Sequence, residues 1–227
     1  MKAQRVIFAI TLVLSLFSLG CFLGCMFSTD MVTGVVTNRN VNATNYGNIS
    51  VGLIWGSKQY NYGYGLRKAQ RFAIHEEYQN PIKGVTASVL SFVCVACLFN
   101  IIGTIFSLEN FFIVPVQTLQ GPIGLYLWYG IASIAAFIAF FMYSILFPTK
   151  LKEDIDSEAE SNFSSVDGET GFGYSYWLLM TGIILTICNI GLVHLARKSV
   201  DLNTLSGKLK PKARPAQYED TSDGGLL

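Results

Sequence analysis

Cys94-Val-Ala-Cys97 has the Cys-x-x-Cys spacing of a dithiol–disulfide couple, and of all the residue patterns in the chain it is the one best suited to a reaction. A dithiol catalyst needs a lowered thiol pKa and a further cysteine pair through which electrons leave. No Lys, Arg or His stands near Cys94 or Cys97 in sequence, and Cys21, Cys25 and Cys188 all lie in apolar stretches rather than in loops. Two small, polarizable packing residues are therefore the preferred reading. No catalytic residue, cofactor or metal ligand is assigned, and a membrane thiol oxidoreductase using Cys94 and Cys97 stays as the minor alternative.

Other side chains carry chemistry of a different kind. Asn42-Ala-Thr44, Asn48-Ile-Ser50 and Asn162-Phe-Ser164 are N-glycosylation sequons, and each marks a stretch exposed to the glycosylating side of a membrane. Asn100 and Asn189 are amides set deep in apolar runs, where each needs a partner across a helix interface; they are expected to face each other or neighbouring hydroxyls. A permeation path would want ionisable groups at mid-membrane, but the apolar runs contain no Asp, Lys or Arg. Glu109 is at a membrane end, and His194 stands beside Arg197 as an interfacial anchor. This pattern argues against a pore or transporter acting alone.

The elements that position these residues are four apolar stretches, at 6–27, 85–108, 123–147 and 176–196. Each meets the roughly 20 residues needed to cross a hydrocarbon core of about 30 Å. Hydrophobic residues make up 51% of the 227-residue chain and charged residues 14%, with the charges held in loops and tails, so lipid is the main solvent. A net charge of +1 gives no reason to expect nucleic acid. The first stretch, 22 residues behind Lys2 and Arg5, is too long for a signal-peptide core and reads as a signal anchor. Its Gly20-Cys-Phe-Leu-Gly24 is a small-xxx-small match, assigned to packing inside the bundle before dimerisation.

Charge and sequons set the topology. Arg197 and Lys198 follow the fourth stretch directly, and all three sequons fall in the first and third loops, which four crossings put on one side. The expected order is a cytosolic N-terminus (1–5), a first span (6–27), extracellular loop 1 (28–84), a second span (85–108) and a cytosolic loop (109–122). A third span (123–147), extracellular loop 2 (148–175), a fourth span (176–196) and a disordered cytosolic tail (197–227) complete it. In loop 1, Ile49-Ser-Val-Gly-Leu-Ile-Trp55 alternates like a strand, and Tyr60-Asn-Tyr-Gly-Tyr-Gly65 reads as a Gly-rich turn. Loop 2 carries seven acids between Glu153 and Glu169 and reads as a solvated connector. In the tail, Lys208, Lys210, Lys212 and Arg214 suit transient contact with an anionic inner leaflet. The fold class expected is all-α membrane: a four-transmembrane-helix bundle with a small extracellular β element in the first loop.

A four-pass chain with its larger loop first resembles the claudin-like superfamily, although the two cysteines that follow the claudin Gly-Leu-Trp element are absent after Gly52-Leu53-Ile54-Trp55. The chain is most similar to the clarin family. Val51-Gly52-Leu53-Ile54-Trp55-Gly56 resembles the clarin Tyr-Gly-Leu-Phe-x-Gly element. Gln120-Gly121-Pro122-Ile123-Gly124-Leu125-Tyr126-Leu127-Trp128 resembles the clarin Gly-Pro-x-Gly start of the third helix, and Tyr174-Ser175-Tyr176-Trp177 the start of the fourth. Tyr126 and Trp128 are suited to an interfacial aromatic belt. Within the family, the cysteine-free outer loop, Arg71-Phe72-Ala73-Ile74 and Tyr218 ahead of Gly224-Gly225-Leu226-Leu227 are most similar to the third paralogue. The resemblance implies a plasma-membrane tetraspan that organises membrane domains by lateral protein association, linked to perception of sound and to actin-rich or synaptic membrane. The alternative is an auxiliary subunit of a channel or mechanotransduction complex.

Overall fold

A computed structural model describes residues 2–38, 46–61, 65, 67–78, 81–112, 122–151, 163–165 and 170–209. Four long helices dominate: α1 (Lys2–Phe27), α3 (Ile82–Phe112), α4 (Pro122–Leu146) and α5 (Tyr174–Leu209), with a short α2 (Ile74–Glu77) before α3. Each long helix contains a segment apolar enough to cross a membrane. The 26 residues of α1 alone extend about 39 Å at ~1.5 Å per residue. A π-helical turn, Phe147–Leu151, continues α4. The helices form a ring in which α1 packs on α3 and α5, and α4 closes the other side against the same two.

Strands cap one end of the ring. They are β1 (Val32–Asn38), β2 (Tyr46–Val51), β3 (Trp55–Tyr60), β4 (Gln70–Ala73), β5 (Phe163–Ser165) and β6 (Gly171–Phe172). The sheet runs β4-β3-β2-β1-β5, with β6 also beside β1, and every pairing is antiparallel. Val36 lies opposite Ser165 and Val32 opposite Phe172, so the first and third loops meet in one sheet at one end of the bundle. Period-2 alternation points Val32, Val36, Ile49 and Val51 inward, onto a core that includes Phe22, Cys25, Leu53, Val93 and Tyr143. Each such aliphatic side chain contributes roughly 1.5–3 kcal/mol when fully buried. A second core, around Phe8, Leu125, Tyr129, Val193 and Ala196, fills the opposite end.

Two expectations are corrected. The stretch 49–55 is not one strand: β2 ends at Val51, the chain bends through Gly52–Ile54, and β3 begins at Trp55. The Gly52 N–H bonds back to the Trp55 carbonyl at 3.1 Å, and a Cβ on Gly52 would collide with the Ser28 carbonyl, so this bend is where the sheet meets the end of α1. The tail is not irregular from residue 197, because α5 runs on to Leu209. Residues 199–209 hold no proline, and propagating an established helix costs little; Pro211 then disfavours helix at the residue before it.

Candidate functional site

The most organised polar feature is a ladder inside the helix ring. Thr11, Ser15 and Ser18 recur at i, i+4 and i+7 along α1, Asn100, Thr104 and Ser107 do so along α3, and Gly182, Thr186 and Asn189 along α5. That spacing keeps each trio on one helix face, and the three faces turn inward. Asn100 Nδ2 donates to Ser18 Oγ at 2.9 Å, and Ser18 and Thr186 share a hydrogen bond of 2.7 Å. Ser18 also donates to the Gly182 carbonyl at 3.1 Å. With Thr186 donating, Ser18 uses its one donor and both acceptor sites. Thr104 Oγ1 donates to the Asn100 carbonyl at 2.8 Å.

Farther from the sheet, the Asn189 amide, oriented to satisfy its neighbours, donates to the Thr11 carbonyl and accepts from the Ser15 N–H, both at 3.2 Å. These two backbone groups stand four residues apart on α1, so one side chain of α5 grips one turn of its neighbour. Tyr129 brings in α4: its hydroxyl bonds Ser107 at 2.9 Å and lies beside those of Ser15 and Thr104. Sequence led to the expectation that the two asparagines face each other or neighbouring hydroxyls; Asn100 meets a hydroxyl, whereas Asn189 takes neither arrangement and meets the α1 backbone.

Glycines permit the approach. A Cβ on Gly103 would lie 2.7 Å from the Tyr129 ring, and one on Gly182 would lie 2.6 Å from the Phe22 ring. By contrast Gly24 is in ordinary contact with Leu178 at 3.5 Å, and nothing lies within 4 Å of the corresponding position on Gly20. Close packing thus falls on Gly103 and Gly182, which sequence reading passed over. The repeated i, i+4, i+7 polar spacing was the signal available for finding Ser18, Thr186 and Tyr129's partners.

The family-motif residues hold the sheet and the helix starts. Leu53 is buried in the main core, and the Phe72 ring covers the face of Gly56 where a side chain would stand. Pro122 opens α4 and Gly124 is buried behind it; Gly121 lies outside the described residues. The Tyr126 ring stands edge-on to His194 at 6.5 Å, and Trp128 stacks on Phe99 at 5.8 Å and Phe106 at 6.0 Å. Trp128 therefore packs across the α3–α4 seam. Trp177 is exposed beside Tyr176, which stacks on Phe172 at 4.0 Å and Phe140 at 4.7 Å and shares a 2.8 Å bond with Ser144.

All five cysteines are free. Cys94 is half-buried and Cys97 buried on α3, while Cys25 Sγ lies 3.5 Å from Met31 Sδ. Asn48 is exposed in mid-β2, opposite Val35 and Gln59. Asn42, Asn162, Lys210, Lys212 and Arg214 lie outside the described residues, and Lys208 falls in the last turn of α5.

Four apolar helices in a ring, joined by inward polar groups and capped by a sheet from two loops, define a multi-pass membrane protein of the four-span class. The family model described as Clarin-2-like matches residues 3–193, and the chain belongs to the clarin family. It is also similar to Clarin-3 of Homo sapiens, 23% identical over 188 residues that cover 80% of this chain and 83% of that protein.

Proposed function

We propose that this protein is a glycosylated plasma-membrane tetraspan of claudin-like build that organises membrane domains or complexes by lateral association, without catalysing a reaction. The observation that carries the reading is the outward face of the sheet, where Trp55 is 46% exposed and Tyr46 40% exposed on a platform fixed to the bundle. Large aromatic side chains left on a solvated sheet are typical anchors of protein contacts. Both termini are cytosolic in this reading. The sequons at Asn42, Asn48 and Asn162, in loops that share one sheet, support placing the sheet outside. Anionic lipid contact by Lys208, Lys210, Lys212 and Arg214 would hold the tail to the inner leaflet. A role in perception of sound, at actin-rich or synaptic membrane, comes with the clarin family and is proposed on that ground.

The test is affinity purification of the tagged full chain from native membranes in mild detergent, beside a Trp55→Ala variant. A membrane protein recovered near stoichiometry with the wild type, and at least tenfold depleted with the variant, is expected for an anchor worth about 2 kcal/mol. Recovery of the chain alone, or a partner retained equally by Trp55→Ala, would sink the reading.

A further inference from the structure

At the end of the bundle opposite the sheet, Arg5, Val6, Ala9, Ile10 and Val13 of α1 and Phe111 of α3 line a groove of about 640 Å³. Its walls are almost wholly hydrocarbon, and Arg5, the one charged residue of the lining, is exposed and has no hydrogen-bond or ion-pair partner among the described residues. From Arg5 to Leu14 the lining extends about 14 Å at ~1.5 Å per residue. That is close to the depth of one leaflet, half of a hydrocarbon core of about 30 Å. Arg197 and Lys198, exposed on the neighbouring α5, add positive charge at the same end. An apolar slot about one leaflet long, with an exposed arginine at the first position of its lining and further basic residues at the same end, matches an amphiphile with a long alkyl chain and an anionic head.

We propose that this groove is a binding site for an acidic phospholipid, with one acyl chain along Val6–Leu14 and the phosphate and carboxylate of the headgroup at Arg5. Arg5 selects the headgroup because guanidinium presents paired donors to phosphate and carboxylate oxygens. Ala9 leaves room for the chain, and Phe111 closes the side toward α3. The site is built from α1 and α3 and uses no residue of the sheet.

The experiment uses the purified full chain in nanodiscs containing phosphatidylserine or phosphatidylcholine with a diazirine in the acyl chain, and cross-linked peptides are mapped by mass spectrometry. Phosphatidylserine is expected to label residues 6–14 and Phe111 about fivefold more than phosphatidylcholine, the factor that corresponds to about 1 kcal/mol for one basic side chain at an anionic surface. Arg5→Gln should remove that preference while phosphatidylcholine labelling is unchanged, and Arg5→Lys should keep most of it. Ala9→Phe, which fills the slot, should lower labelling by both lipids. Equal labelling by the two headgroups would overturn the proposal, and so would labelling spread evenly onto the outward residues Ile134 and Ile187. A disulfide between two copies carrying Ile10→Cys, in place of lipid labelling, would reassign the groove to a second copy. No other protein is present, so the result stands whichever way the partner purification falls.

Discussion

The Ser18 hydroxyl bonds groups from two other helices, and such economy makes single substitutions informative. Ser18→Ala leaves Asn100 Nδ2 without its acceptor and deprives Thr186 of a partner. A loss of about 1–3 kcal/mol is expected from the unsatisfied amide, read as a lower melting temperature in detergent. A double-mutant cycle with Asn100→Ala should return a coupling of about 0.6–1.7 kcal/mol, the range of interhelical hydrogen bonds in lipid. Gly52→Ala is a different kind of test. Its Cβ has no space beside the Ser28 and Trp55 carbonyls, so backbone must shift, and a loss of about 1–3 kcal/mol follows. The requirement for glycine at position 52 is visible in the sequence only as a motif; its cause, the end of α1, is 24 residues away.

Among the elements, β6 does the joining. Two residues long, it pairs with β1, and the Gly173 N–H beyond it bonds the Met31 carbonyl at 2.9 Å. Phe172 stacks between Tyr176 on α5 and Phe147 at the end of α4, at 4.0 and 4.6 Å. Phe172→Ala should therefore release the third-loop strands before it melts the bundle. Hydrogen exchange checks this: the amide of Thr33, which faces Gly171 of β6, should exchange at least tenfold faster, while those of Ala135 and Ala136 in α4 hold, since each aromatic pair contributes about 0.5–1.5 kcal/mol beyond its buried area. Uniform exchange across both would show that sheet and helices open as one unit. Lys58 reaches Glu77 at 2.6 Å and lies 4.8 Å over the Phe72 ring, tying β3 to β4 and α2. Glu77 is exposed enough that Lys58→Met should cost no more than about 1 kcal/mol.

For the whole molecule, the geometry brings the first and third loops into one sheet, and glycosylation reads out where that sheet lies. Replacing Asn42, Asn48 and Asn162 by Gln, singly and together, should remove glycosidase-sensitive mass in steps, and a tag after Leu227 should stay protected from protease added outside intact cells. A tag accessible from outside would reverse the orientation. The ring arrangement also explains why the ladder joins every long helix. A four-helix ring has one shared interior, and polar groups placed there find one another because lipid offers them no alternative partner.

Sequence alone determined the four long helices, the place of each cysteine within them and the clarin resemblance, because membrane crossing is a local property: about 20 apolar residues are enough to identify a span wherever the chain goes next. The fourth helix's continuation to Leu209 escaped that criterion, since beyond residue 198 polar residues break up the apolar run and helix persists there by propagation. The break at Gly52 escaped a period-2 reading for a similar reason: the alternation is local, and what crowds position 52 is the Ser28 carbonyl just past the end of α1. Asn100 and Asn189 announced a need for partners without naming them. Only tertiary structure decided that Ser18, Thr186 and the α1 backbone meet that need, and that Gly103 and Gly182, rather than Gly20 and Gly24, admit the close contacts. Partner choice depends on the rotation of each helix about its own axis, and that rotation is settled jointly by all four helices and the sheet that caps them.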